Sequence, residues 1–259
     1  MISVLVNGAC GRMGREVVRT VLAEDGLSLV AAVDPAHAGE PLGEGSDLTV
    51  TGDLAEAVAL ARPQVMVDFT HPGVVEHAIE TALRAGVHCV VGTTGLATET
   101  VERLATVAPD GTCLFVAPNF AIGAVLMMRF AQSAARYMPH AEIIELHHDR
   151  KADAPSGTAM RTAALIAGAR ESMPPAPGRE TEIAEGARGA SVDGVTVHSV
   201  RLPGLVAHQE VIFGGIGQTL SIRHDSIDRT SFMPGVVLAI RQTVKRSGLV
   251  IGLERYLED

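Results

Sequence analysis

The 259-residue chain contains no tryptophan, only two tyrosines and six phenylalanines, three cysteines, and no basic run, long apolar run or internal repeat. Each shortage removes a class of protein. Thirty acidic against 21 basic side chains give a net charge of −9, so the electrostatic footprint of a nucleic-acid binder is missing. No stretch approaches the roughly 20 apolar residues that cross a bilayer, and the start lacks a basic segment leading into a signal-type apolar run. A cytoplasmic protein with neither membrane nor nucleic acid as partner is expected. Cys10, Cys89 and Cys113 are odd in number, widely spaced and set among apolar residues or glycine, which implies reduced thiols and no disulfide framework. Without tryptophan, a fluorescent ligand can be followed free of indole emission from the protein. What is plentiful is apolar side chain, at 47% of residues, enough for two cores.

The first of these cores announces itself at once. Ile2-Ser-Val-Leu-Val6 is a compact apolar strand, followed by Gly8-Ala-Cys-Gly-Arg-Met-Gly14 and a helix pattern with Val17, Val18, Val21 and Leu22 on one side. Strand, glycine turn and helix in this order form the context of a dinucleotide fingerprint, although the spacing Gly-x-x-Gly-x-x-Gly departs from the commoner Gly-x-Gly-x-x-Gly. A second strand, Leu27 to Val33, ends in Asp34, where an acidic side chain accepts the hydroxyls of the adenosine ribose. The bland alternative is a turn aspartate before Pro35. The expected contacts of the cofactor are therefore Gly8, Ala9, Cys10, Gly11, Arg12, Met13 and Asp34. Asp34 disfavours a 2′-phosphate and Arg12 offsets that repulsion, so NADH and NADPH both remain open as cofactors.

Alternation continues down the chain. Val65 to Phe69, His88 to Val91 and Cys113 to Val116 read as buried strands, with a helix near 74–85 between the first two. Two of them end in small hydrogen-bonding loops, Gly92, Thr93, Thr94, Gly95 and Ala117, Pro118, Asn119, Phe120, placed where a doubly wound sheet meets its ligand. Asn119 suits a carboxamide, or else caps the helix expected from Ile122 to Met138. Beyond it the character changes. A strand before His147, a Pro- and Gly-bearing stretch from Met173 to Gly178, and strands at Val195 to Arg201, Val206 to Phe213 and Thr219 to His224 describe a second α/β unit. A long helix, Pro234 to Ser247, ends the pattern. The expected fold is α/β, a Rossmann-type doubly wound parallel sheet with a second α/β domain containing an open mixed sheet. Residues 1–119 and 228–259 are assigned to dinucleotide binding, and 120–227 to substrate binding and oligomerisation.

The densest chemistry lies in Glu145-Leu-His-His-Asp-Arg-Lys-Ala-Asp-Ala-Pro-Ser-Gly-Thr-Ala159. His147 and His148 stand where a strand gives way to a loop, and a histidine donates protons near neutral pH. Lys151 adds a fixed positive charge. Ser156 is a plausible N-cap, so the amides of Gly157 and Thr158 with the helix dipole make a carboxylate site. A zinc site at the paired histidines is set aside, because adjacent strand residues face opposite ways and no cysteine or second ligand pair lies nearby. An ordinary helix cap and structural histidines are the plain alternatives.

Taken together, Gly8 to Gly14, Asp68-Phe-Thr70, Gly92 to Gly95, Ala117 to Phe120 and His147-His-x-x-Lys-x-Asp-Ala-Pro-Ser-Gly-Thr158 resemble the bacterial 4-hydroxy-tetrahydrodipicolinate (dihydrodipicolinate) reductase family, essentially from end to end. The resemblance implies a reductase of the diaminopimelate route to lysine, using NADH or NADPH on a small dicarboxylate substrate. It implies that His147 is the proton donor, Lys151 a second catalytic residue, His148 a substrate contact, and Gly157 and Thr158 the carboxylate cradle, with no metal. It also implies a homotetramer joined through the second domain's sheet. Pro35 stands where some relatives carry an arginine suited to a 2′-phosphate. Other readings are a different nicotinamide-dependent dehydrogenase of amino-acid metabolism, for which Cys113 would serve as nucleophile, and a non-catalytic NADH sensor.

Overall fold

The computed structural model describes residues 1–172 and 181–257, so the stretch expected as a loop from Met173 to Gly178 lies outside the described residues. The chain divides into two compact units, Met1–Ala121 with Phe232–Asp259, and Ile122–Ser231.

In the first unit the apolar runs form parallel strands and the amphipathic segments form helices that cover them. The elements are β1 (Ile2–Asn7), α1 (Arg12–Ala23), β2 (Leu27–Val33), a hairpin of β3 (Pro41–Gly43) and β4 (Ser46–Thr49), α2 (Leu54–Ala61), β5 (Val65–Asp68), α3 (Pro72–Arg84), β6 (His88–Val91), α4 (Thr98–Ala105) and β7 (Cys113–Val116). After the second unit's elements the chain returns with a helix at Met233–Thr243 and a strand at Gly248–Ile251. That last strand pairs in parallel with β7, where the sequence pattern had indicated only helix. The sheet order, from this final strand, is β7, β6, β5, β1, β2, with every pairing parallel.

Strands buried on both faces read as continuous apolar runs, as Val65-Met-Val and Cys89-Val-Val do. One face of the sheet packs Leu5, Met66, Cys89 and Leu114 against Val58 of α2, Ile79 and Leu83 of α3 and Leu104 of α4. Each such large side chain contributes about 1.5–3 kcal/mol by leaving water. Val17, Val18 and Val21 of α1 are likewise buried.

The second unit contains α5 (Ile122–Ala135), β8 (His140–His147), α6 (Gly157–Ala169), β9 (Ala190–Val192), β10 (Val195–Arg201), β11 (Ala207–Gly215) and β12 (Gln218–Ser226). With these introduced, the returning helix is α7 and the last strand β13. The second sheet runs β12-β11-β8-β10-β9 and is mixed, since β8 and β10 are parallel while the other neighbours are antiparallel. Alternation along β8 and β11 turns Ile143, Glu145, Gln209, Val211 and Phe213 inward. Among these apolar neighbours one charged side chain, Glu145, is completely buried.

Candidate active site

At β1 the first unit's chain runs to β2 on one side and later to β5 on the other, the switch point at which an open α/β sheet leaves a crevice. The glycine loop occupies this place. Gly8 has φ +77°, a left-handed conformation suited to glycine, and a Cβ on Gly14 would come within 1.9 Å of the Gly8 carbonyl oxygen. The amides of Gly8 and Ala9 donate to the Val33 carbonyl at 2.8 and 3.1 Å, which fastens the loop to β2. Gly11 precedes α1 without a side-chain cap, so Arg12 and Met13 open the helix with amides for which a first turn has no carbonyl of its own. Asp34, at the end of β2, accepts the Cys10 amide at 3.1 Å through one oxygen and the Ala36 amide at 3.2 Å through the other. A cradle closed to side chains, a helix N-terminus and a braced carboxylate one strand away fit a dinucleotide, with pyrophosphate at the amides and ribose at Asp34.

A buried polar knot sits beneath this edge. Asp68, fully buried at the end of β5, accepts from Asn7 Nδ2 at 2.7 Å, from Thr70 Oγ1 at 2.9 Å and from Thr93 Oγ1 at 2.7 Å. The Thr93 side chain is thus turned inward, whereas Thr94 and Gly95 are exposed. Gly92 is half-buried and donates its amide to the Asp68 carbonyl at 2.9 Å. In the next loop Ala117 and Phe120 are buried, Pro118 is exposed, and Asn119 Oδ1 accepts the Ala121 amide at 2.8 Å. Phe120 packs against Phe69 and Phe115, with ring centroids 5.5 and 5.9 Å apart. Cys113 is buried and burial pushes its thiol pKa up, which removes it as the nucleophile a semialdehyde-type dehydrogenase requires.

The second unit gathers His147, Lys151 and Glu145. Glu145 and His147 are two apart on β8 and so share a face, and Nδ1 of His147 lies 2.5 Å from Oε2 of Glu145. Arg201, opposite His147 at the end of β10, donates through both terminal nitrogens to Glu145, at 2.9 and 2.7 Å. Its Nη2 also donates to the Asp153 carbonyl at 2.7 Å, and the Ser156 amide donates to Glu145 Oε1 at 3.3 Å. One carboxylate thereby joins two strands to the loop between β8 and α6.

Burial opposes the charge of Glu145, but hydrogen bonds from Arg201, Ser199 and His147 outweigh it and hold its carboxyl below the usual range. Burial lowers His147; Glu145 pulls it up, Lys151 and Arg201 press it down, and the outcome is a pKa below the ordinary 6.5. Lys151 also pairs with Asp153 at 2.6 Å. His148 has its Nδ1 buried without a hydrogen-bond partner among the described residues. Ser156 caps α6 by accepting the Ala159 amide at 3.2 Å, as its position in the sequence indicates. Gly157 and Thr158 form the first turn, and a Cβ on Gly157 would meet nothing within 4 Å, so an anion has room to reach the backbone there.

Glu145 and Arg201 are the members of this cluster that the motif reading passes over. The available signal for Glu145 is a carboxylate on the inward row of an otherwise apolar strand; for Arg201, 56 residues away, there is none.

Comparison with known proteins places these features in a common setting. The profile described as "Dihydrodipicolinate reductase, N-terminus" matches residues 2–120, and that described as "Dihydrodipicolinate reductase, C-terminus" matches 123–257. A 4-hydroxy-tetrahydrodipicolinate reductase of Desulfitobacterium hafniense is 51% identical over 265 residues, covering 99% of each chain. One from Mycolicibacterium vanbaalenii is 51% identical over 255 residues, covering 98% of each. Among solved structures, a dipicolinate-bound dihydrodipicolinate reductase from Paenisporosarcina sp. TG-14 superposes with a TM-score of 0.89 at 45% identity, covering 98% of this chain and 99% of that one. An amine dehydrogenase from Mycobacterium smegmatis, at 14% identity and a TM-score of 0.68 over 98% of this chain and 95% of its own, shares the fold alone.

Proposed function

The chain belongs to the dihydrodipicolinate reductase family of nicotinamide-dependent oxidoreductases, and from this premise we propose how its residues reduce 4-hydroxy-tetrahydrodipicolinate to tetrahydrodipicolinate, with loss of water, in lysine synthesis through diaminopimelate. The observation that carries the assignment of roles is the contact of His147 with the buried Glu145, beside Lys151 and the Ser156-capped turn.

The first unit holds the dinucleotide, with Gly8 to Met13 around the pyrophosphate, Asp34 at the ribose, and Gly92 to Gly95 and Ala117 to Phe120 at the far end of the sheet edge. The bound nicotinamide supplies the hydride. The second unit holds the substrate, a ring bearing two carboxylates. Lys151 and the first turn of α6 at Gly157 and Thr158 take carboxylate charge, and His148 offers its buried ring nitrogen.

His147 supplies the proton. An ionised Glu145 only accepts, so the proton in their contact belongs to Nδ1, and Nε2 is the nitrogen that faces chemistry. A neutral ring in that tautomer has a lone pair at Nε2 and nothing to give. Arrival of a doubly negative ligand favours the imidazolium, which then donates from Nε2 to the carbon where negative charge develops. The substrate thus loads the acid that it consumes.

For the cofactor, we infer that NADH is favoured and NADPH accepted. Arg15 and Arg19 of α1 are engaged by Glu44, at 3.7 and 2.6 Å, and Asp34 sets a negative charge where a 2′-phosphate would come, which leaves Arg12 to offset it. We extend the proposal to a cytoplasmic homotetramer joined at the nine-residue edge strand β12, whose outer backbone groups need covering. Freshly generated 4-hydroxy-tetrahydrodipicolinate, with loss of NADH and NADPH followed in parallel, tests substrate and cofactor together. No substrate-dependent loss of either dinucleotide would defeat the proposal.

A further inference from the structure

We infer that Glu145, clamped by Arg201, is a positioning residue of this reaction: it selects the nitrogen that His147 presents to the ligand. The inference rests on His147 as the proton donor.

Glu145 is completely buried, and its carboxylate bonds to His147, to Arg201 and to the Ser156 amide ahead of α6. Both oxygens are held by the Arg201 fork at 2.9 and 2.7 Å, a planar match that fixes the carboxylate plane. Oε2 then meets His147 Nδ1 at 2.5 Å, and Oε1 receives the Ser156 amide at 3.3 Å, immediately ahead of the first turn of α6. Arg201 adds a second hold on the same loop through the Asp153 carbonyl at 2.7 Å. Proton donor, lysine loop and anion cradle therefore share one reference point. An imidazole free to rotate or to shift its proton would not hold one nitrogen toward the ligand; this carboxylate fixes both the ring and the proton on Nδ1. Arg201 serves a second purpose. By neutralising Glu145 it keeps the carboxylate from taking the proton that His147 is to deliver. The charged groups acting on the ring are Glu145 from its own strand, Arg201 from β10 and Lys151 from the following loop, while β11 sets the uncharged Ala207 opposite His147.

The test uses the full chain with nitrogen-15-labelled histidine, His147 being assigned by the signal that His147→Gln removes. At a pH where the ring is neutral, the unmodified protein should show His147 protonated at Nδ1, and an Nε2-protonated ring overturns the inference without any variant. Glu145→Gln should mix the two tautomers, lower kcat by about 10- to 100-fold with KM for dinucleotide and substrate little changed, and move the alkaline fall in kcat to lower pH, since loss of the carboxylate makes the imidazolium easier to deprotonate. An unchanged tautomer together with an unshifted pH midpoint sinks the inference, including when turnover falls. Added to His147→Gln, Glu145→Gln should cause little further loss in kcat; a loss as large as in the single variant would show Glu145 acting by another route and overturns it. Normal turnover in His147→Gln alone removes the acid reading, and the tautomer measurement still judges Glu145 separately.

Discussion

His147 combines two demands that pull apart. To be fixed it must be buried, and burial lowers its pKa, so at neutral pH the free protein holds it mainly unprotonated. Replacing it by glutamine keeps a hydrogen-bonding partner for Glu145 and removes the proton. His147→Gln is expected to lower kcat by about 10²–10⁴ while dinucleotide affinity, read from NADH fluorescence, stays near normal. Near-normal turnover would take His147 out of the acid role. At the proposed ribose site, Asp34→Ser removes a fixed negative charge. The ratio of kcat/KM for NADPH to that for NADH should rise about tenfold, the effect of roughly 1.4 kcal/mol of relieved repulsion. The ratio is the readout because Asp34 also braces Cys10, so affinity for both dinucleotides falls with it. An unchanged ratio would mean that Asp34 lies outside the ribose site.

Single elements meet at Asp68, which ties the ends of β1 and β5 to the loop after β6. Asp68→Asn sets an amide NH₂ among groups that donate, so the variant should lose about 2–4 kcal/mol of stability in denaturant unfolding and bind NADH more weakly. Unchanged unfolding would show that the knot is dispensable. Legibility also differed element by element. The strand read at Val195 to Arg201 coincides with β10, because alternation and β-branched residues agree there. Ser156 as N-cap was equally plain. β13 was hidden, since Gly248-Leu-Val-Ile251 is four residues long and owes its strand state to β7, more than 130 positions earlier. Pro41-Leu-Gly43 has little intrinsic strand character, and it is a strand only through its hairpin pairing with the neighbouring β4. Helix α5 was expected to reach Met138 and ends at Ala135, an ordinary uncertainty at a terminus. At the candidate site the motif singled out His147, Lys151 and the Ser156 cap, but the Arg201 clamp joins positions that only the parallel pairing of β8 and β10 brings together.

For the whole molecule, buried histidines and paired carboxylates make stability depend on pH with one sign on the acid side. Burial lowers His88, His147 and His224 below the ordinary 6.5, with nearby charges adjusting the last two. Groups of this kind bind fewer protons folded than unfolded, so their contribution is complete above pH 6.5 and is lost as pH falls through their folded values. Asp225, held down chiefly by Arg223, and Glu145, where Arg201, Ser199 and His147 together outweigh burial, add a further loss at lower pH, as acid reaches the depressed carboxylates. Unfolding free energy should therefore be flat from about pH 7 to 8 and fall in two stages on acidification, the first beginning below about pH 6.5. A stability that rises between pH 7 and 5 would contradict this account. The first unit, finally, is assembled from both ends of the chain: Gly248 and Gly252 bond to Thr112 and Val116, and the Tyr256 ring stacks 4.5 Å from Phe115. A ribosome releases β7 more than 130 residues before it releases β13, so until β13 emerges the nascent first unit carries an open flank beside β7.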